Sequence, residues 1–356
     1  MDRGIDAMMN FLNTLDRRWI FLAMALCVGV PILVIGLTGY TFPETPTPLA
    51  EAFFNEVDTA GEAKGRRANI LVALDFDPAS AGELNPMAVS LVHQCAQKGH
   101  RMYFISLWPV GPQMIMESVD KVIKRHYPEM VYGEDYVNLG FKAGNEQVIK
   151  VMGIDLTTEF RTDVEGTTLS KIPMMQGITN LEDFDLIAEI SAGYPGSKEW
   201  VLYAATQYNI PFVSGMTGVQ APQLYPYFPN QLQGLLGAIK GAAEYEFLVN
   251  NWVREDAMAK VLEAGGFPES KAMETAAALA SKPQQVSTWT VTAEASTLGP
   301  EAKTKLIELA TAPIPGEYLE GQRRMGPQLF AHLLMVFLII LGNVIFFAQR
   351  RRGGGA

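Results

Sequence analysis

Apolar and polar positions follow two rhythms along this chain, and the change from one to the other divides it. Between Arg67 and Asn250, short apolar runs alternate with stretches of helical period. The runs are Asn69–Asp75, Arg101–Trp108, Asp185–Ser191 and Pro211–Ser214, rich in Ile, Val, Leu, Phe and Tyr and followed by turn residues. Near-continuous apolar runs of this length, with helices between them, predict parallel strands buried on both faces and joined by crossover helices. The expected fold is α/β: a Rossmann-like, doubly wound, mostly parallel sheet domain over 67–252, flanked by two transmembrane helices.

Helical period places crossover helices at about Asn85–Lys98, closed by Gly99, at Gln113–His126, and at Lys198–Tyr208. A further strand around Tyr136–Leu139 and a helix at Asn145–Met152 are expected, then an irregular surface excursion over 155–176 and a helix starting near Asn180. A long helix is expected from Asn230 to Trp252, carrying Gly234, Gly237 and Gly241 at intervals of three and four as a smooth stripe. Small residues at that spacing let another backbone come close, so the stripe is a candidate oligomer interface as well as a packing face.

The flanks have a different pattern. Residues 1–18 form an amphipathic leader, with Ile5, Met8, Met9, Phe11, Leu12 and Leu15 on one face. Trp19 to Tyr40 holds no charged residue. A helix of that length spans ~33 Å, enough for a hydrocarbon core of ~30 Å. Residues 41–66 read as a Pro-rich tether around Pro43, Pro46 and Pro48, with a short helix at Leu49–Glu56. Residues 253–324 read as a helical and irregular extension, with helices at Arg254–Ala264 and Glu269–Ala280 and a polar, strand-like piece at Pro283–Thr297. Residues 325–349 are again apolar, and 350–356 form a basic, Gly-rich tail. Arg17 and Arg18 before the first apolar segment, and Arg350–Arg352 after the second, place both termini in the cytoplasm and the central domain outside it.

Charge and composition narrow the partners. A formal net charge of −10 over 356 residues gives no basic surface for phosphate backbones, so nucleic acid is excluded as a partner. The expected partners are the lipid bilayer and other membrane-protein subunits or further copies of this chain. The two cysteines, Cys27 and Cys95, fall in different elements and are not expected to pair. His93, His100, His126 and His332 share no ligand spacing, so no metal site and no cofactor are expected.

Ligands of an open α/β sheet bind beyond the C-terminal strand ends. Loops rich in Gly and hydroxyl residues fall there: Gly193, Tyr194, Gly196 and Ser197 after one strand, and Thr217 and Gly218 after another. Backbone amides beside a helix start suit a small acidic ligand. Asp75, Asp77 and Ser214 lie at the same edge and would be the groups of a tethered hydrolase. The role expected first for Asp75 and Asp77 is as turn-bracing and helix-cap acceptors. The chain has no phosphate-binding loop, dinucleotide fingerprint or nucleophile elbow. The sequence therefore leans away from an enzyme and towards a non-catalytic scaffold or accessory subunit, with a tethered hydrolase or a small-ligand sensor as the alternatives.

Overall fold

The computed structural model describes residues 16–281 and 298–353. The amphipathic leader and the strand-like piece expected at Pro283–Thr297 lie outside the described residues, apart from the last residues of the leader. The chain divides into two compact units, 44–321 and a second made of the terminal segments up to Pro43 and from Gln322.

The larger unit is built on a six-stranded, all-parallel sheet of order β3-β2-β1-β4-β5-β6. Its strands are β1 (Asn69–Asp75), β2 (Arg101–Ser106), β3 (Tyr136–Phe141), β4 (Leu186–Ser191), β5 (Phe212–Met216) and β6 (Gly234–Gly237). β1 is central, paired with β2 from Asn69↔Arg101 and with β4 up to Asp75↔Ser191. Every residue of β1 is buried, which is why it reads as an unbroken apolar run. The chain builds outward from β1 to β3, then restarts beside β1 with β4. The connection therefore reverses across the sheet between β1 and β4.

Side chains alternate across the strands. Leu71 and Ala73 face a core shared with Tyr103, Ile105, Val137, Ile187 and Phe212. Two helices cover this layer: one at Glu146–Glu159 and one over 197–208, the latter supplying Trp200, Val201 and Ala204. Ile70, Val72 and Leu74 face the opposite layer, under helices at Ala81–Lys98 and over 111–126.

We number the helices in chain order. α1 is Arg17–Thr38, α2 Pro48–Thr59, α3 Ala81–Lys98, α4 the helix over 111–126, α5 Glu146–Glu159, and α6 the helix over 197–208. α7 is Ala238–Ala264, α8 Glu269–Ala280, α9 Pro300–Thr311 and α10 Glu320–Gly353. Gly99, at φ 72°, closes α3 in the left-handed conformation that a side chain would disfavour.

Several expectations change. Asn230 to Gly237 is not helical: Gly234–Gly237 is the edge strand β6, and α7 starts only at Ala238. Gly234, Gly237 and Gly241 therefore form no stripe on one helix. Each meets the chain's own atoms instead. A Cβ on Gly234 would overlap Phe53 N and Cα of α2 and lie 2.7 Å from Phe53 Cβ. A Cβ on Gly241 would lie 2.8 Å from the Leu236 carbonyl carbon. Gly237 is roomier, with Ala221 Cβ at 3.1 Å. Only a 3-10 turn, Leu181–Asp183, forms where a helix was expected after Asn180. Its Asn180 and Asp183 side chains satisfy the local amides and lead directly into β4. The helix expected at Arg254–Ala264 is the second half of α7.

The compact unit begins before the domain limit read from the sequence. α2 buries Ala50, Phe53 and Val57 within it, so most of the Pro-rich segment belongs to the domain. The unit's two ends are fastened to neighbouring carboxylates of α7. Glu244 accepts from Thr47 Oγ1 at 2.8 Å, and Lys240 bridges Glu44 (2.5 Å) and Glu244 (3.1 Å). Glu246 accepts from the Gly321 amide at 2.8 Å. The chain thus enters and leaves the domain at one place.

The smaller unit contains α1 and most of α10. Both helices are long and apolar enough to cross a membrane. Their apolar side chains are largely exposed, with Phe21 at 69% and Leu37 at 87%. Pro31 lies inside α1, and Gly39, at φ 66°, ends it. Where α10 starts its apolar stretch, a Cβ on Gly326 would lie 2.8 Å from Ile35 Cδ1 and from Phe42 Cε2.

Candidate functional site

The reversal between β1 and β4 opens the sheet's C-terminal edge at Asp75 and Ser191, where an open α/β sheet takes its ligand. Asp75 ends β1 and is completely buried. Its Oδ1 accepts from the Leu107 amide at 2.6 Å and from Ser106 Oγ at 3.1 Å, and its Oδ2 accepts from Trp200 Nε1 at 3.2 Å. A carboxylate whose two oxygens meet donors from β2, the following turn and α6 ties those elements together. Ser106 fits there because Gly111 leaves space: a side chain at 111 would occupy the Ser106 hydroxyl's position.

Asp75 has a neighbour that sequence reasoning missed. Glu189, in the middle of β4, is also completely buried. Its Oε2 accepts from Ser197 Oγ and from Ser214 Oγ, the latter at 3.2 Å. Ser214 Oγ lies 2.6 Å from Ser197 Oγ, and Ser191 Oγ lies 2.9 Å from it while accepting from the Ser197 amide at 3.1 Å. Glu189, Ser191, Ser197 and Ser214 thus form one continuous hydroxyl–carboxyl network beneath the strand ends.

Burial dominates the electrostatics of this pair. It pushes the Asp75 carboxyl up from its ordinary value to about 6, against the lowering effect of Leu107, Trp200 and Ser106. Burial holds Glu189 well above its ordinary value, and the Asp75 charge raises it further. Glu189 is therefore the carboxyl that keeps its proton.

Asp77 parts from Asp75. It is half-buried, and its Oδ1 caps the Ser80 amide at 3.0 Å. Glu83, the nearest further carboxylate in sequence, accepts from the Gly218 amide at 2.9 Å. No cluster of His, Cys, Asp or Glu suited to a metal occurs among the described residues. The thiols of Cys27 and Cys95 are both free.

Above the network lies a crevice of about 270 Å³. Ser191, Gly193, Tyr194 and Ser197 line it, with Lys198 and Gln220 at its sides. Of the loop residues expected there, Gly196, Thr217 and Gly218 are not among its lining. Gly196 instead permits a tight turn, since a Cβ there would lie 2.6 Å from Ser191 Oγ. Thr217 opens the turn after β5, its carbonyl accepting from the Gln220 and Ala221 amides. Tyr194 reaches out of the turn to Glu146 Oε2 at 2.5 Å.

The amides expected to hold an acidic ligand are already used. Gly196 N donates to Glu199 Oε2 at 3.0 Å, Ser197 N to Ser191 Oγ, and Glu199 N and Trp200 N to the Gly196 carbonyl. Glu199 also brings negative charge to the rim. Chemically, the arrangement can lock β1, β4, β5 and α6 into one body. Asp75 and Ser214, both completely buried, expose neither an acid–base group nor a nucleophile to the crevice. The signal that could have found Glu189 was in plain sight: an acid inside Leu186-Ile-Ala-Glu-Ile190, where both faces of the strand are covered.

Comparison of the sequence with protein-family models, curated proteins and solved structures finds no match.

Proposed function

We propose that this chain is a membrane-anchored, non-catalytic scaffold or accessory subunit of a membrane protein complex, holding a Rossmann-like, doubly wound domain on the extracytoplasmic side. The strand order β3-β2-β1-β4-β5-β6 supports the doubly wound reading. The exposed apolar faces of α1 and α10 support insertion of both helices in the bilayer. Arg17, Arg18 and the Arg350–Arg352 run support cytoplasmic termini. Fastening of the domain's entry and exit to Glu244 and Glu246 suits a body anchored through both ends.

The observation that carries the non-catalytic reading is the inward closure of the crevice. Its buried acids and hydroxyls bond one another, and the amides at the start of α6 bond Glu199, Ser191 and Gly196. A catalytic group needs a path to its substrate, and Asp75 and Ser214 are completely buried.

Purification from native membranes in mild detergent, followed by native mass spectrometry, tests this role. The expected result is an assembly of fixed stoichiometry, with other membrane subunits or with further copies of the chain. A single chain, alone in every detergent that preserves its fold, would contradict it.

A further inference from the structure

A second cavity, of about 340 Å³, lies away from the strand ends, between α3, the end of α4, α7 and the segment that leads from α9 to α10. Its volume suits a small organic molecule. Its apolar lining includes Val253, Ala257, Leu309 and Ile314. His93, His126, Tyr127, Tyr318 and Arg254 also line it.

Tyr318 is buried with its ring stacked on His93 at 3.9 Å and 14° and tilted against His126 at 5.1 Å. Its carbonyl accepts from Asn250 Nδ2 at 2.7 Å, which fixes the segment to α7. Yet Tyr318 Oη and His93 Nδ1 are both buried and have no hydrogen-bond partner among the described residues. Leaving a buried polar group unpaired is unfavourable, and here two occur on two stacked rings that line one cavity.

Glu317 is answered by His126 Nε2 at 2.8 Å and by Arg125 at 3.3 Å, and Asp256 by Lys260 at 2.7 Å. Arg254 is half-buried and donates to the Ala312 carbonyl at 3.2 Å, but it pairs with no carboxylate among the described residues. A partly desolvated guanidinium that meets no carboxylate among the described residues favours an anion.

We infer that this cavity binds a small monocarboxylate with an aromatic or other flat apolar body and a hydroxyl at its far end. Arg254 would pair with the carboxylate, the apolar lining would cover the body, and Tyr318 Oη and His93 Nδ1 would take up the hydroxyl. Burial and the nearby His126 lower the His93 pKa to about 4, so its imidazole is neutral near pH 7 and can accept or donate. The inference does not depend on the scaffold reading, because the cavity shares no residue with the strand-end crevice.

Calorimetric titration of the full chain in detergent with 4-hydroxybenzoate, benzoate and inorganic phosphate tests it. Saturable binding of 4-hydroxybenzoate is expected, with benzoate several-fold weaker and phosphate weaker still. Arg254→Gln is expected to weaken both carboxylates tenfold or more. Tyr318→Phe, which keeps the stacked ring, is expected to weaken 4-hydroxybenzoate several-fold while leaving benzoate within twofold. Melting curves of each variant verify that the fold persists. The site is overturned by any of three results: no saturable binding by either carboxylate, unchanged affinity in a folded Arg254→Gln protein, or phosphate binding as tightly as benzoate.

Discussion

Replacing Gly234 by Leu will prevent the domain from folding, and Gly234→Ala alone will strongly destabilise it. The reason is the crossing of α2 over β6. A Cβ at position 234 would overlap the Phe53 backbone and lie 2.7 Å from Phe53 Cβ. Backbone in a buried helix cannot swing aside as a long side chain would, and Phe53 is itself completely buried against Tyr245, with ring centroids 4.7 Å apart. Overpacking of this kind costs ~1–3 kcal/mol and sometimes more, and contact with backbone places Gly234→Ala at or above about 3 kcal/mol. For a domain of this size that lowers the melting temperature by roughly 6–12 °C. Gly237→Ala is the matched comparison. Its nearest atom is Ala221 Cβ at 3.1 Å, so a shift of a few tenths of an ångström relieves it. Thermal unfolding of the two variants, followed by circular dichroism, checks the difference. Equal melting temperatures would mean that α2 does not cross β6 as described.

The second large effect is a dependence of stability on pH, set by Asp75 and Glu189. In the unfolded chain these groups lose their protons near their ordinary values of 3.8 and 4.5. In the folded domain burial raises both, Asp75 to about 6 and Glu189 well above its ordinary value, with the Asp75 charge raising Glu189 too. The folded state therefore binds more protons than the unfolded one within that window. Their contribution is greatest below the unfolded values and is lost as pH rises through the folded ones. For Asp75 the loss falls between about pH 4 and pH 6 and is on the order of 3 kcal/mol, at ~1.4 kcal/mol per pH unit. Glu189, raised in the same direction, adds to the loss.

Glu189→Gln keeps a carbonyl oxygen facing Ser197 and Ser214 but has no proton to lose. The variant is expected to match the wild type at low pH and to be more stable than it at pH 8, where the wild type's buried carboxyl has become a liability. Urea unfolding at low pH and at pH 8 measures this. Parallel curves for the two proteins would show that Glu189 is not the group that holds its proton.

How far the sequence carried these conclusions differs by element. β1 spans Asn69–Asp75 as its apolar run predicts, because a strand covered on both faces leaves an unambiguous pattern. α8, at Glu269–Ala280, was equally legible from its helical period. β6 was not. It is a four-residue edge strand, Gly-Leu-Leu-Gly, and its two glycines sit at a spacing that also fits a helix. What decides Gly234 is a backbone 181 positions away, at Phe53, and no local pattern reports it. The site divided in the same way. Asp75 was picked out by its place at a strand end, but its partner Glu189 reaches it only through the pairing of β1 with β4. The loop at Gly193–Ser197 was found by composition. Its amides turned inward because Ser191 and Glu199, one on each side of the turn, accept from them.

The proposed function places a folded domain outside the cytoplasm, held there by two membrane helices. Ser170 is exposed on the domain, in the turn Leu169–Lys171, far in sequence from either apolar helix. A single cysteine at that position, in a Cys27→Ala/Cys95→Ala background, reports directly on the side of the membrane. The measurement is labelling of intact cells with a membrane-impermeant thiol reagent, compared with labelling after lysis. Ser170→Cys is expected to be labelled fully in intact cells, whereas labelling only after lysis would contradict the proposed orientation.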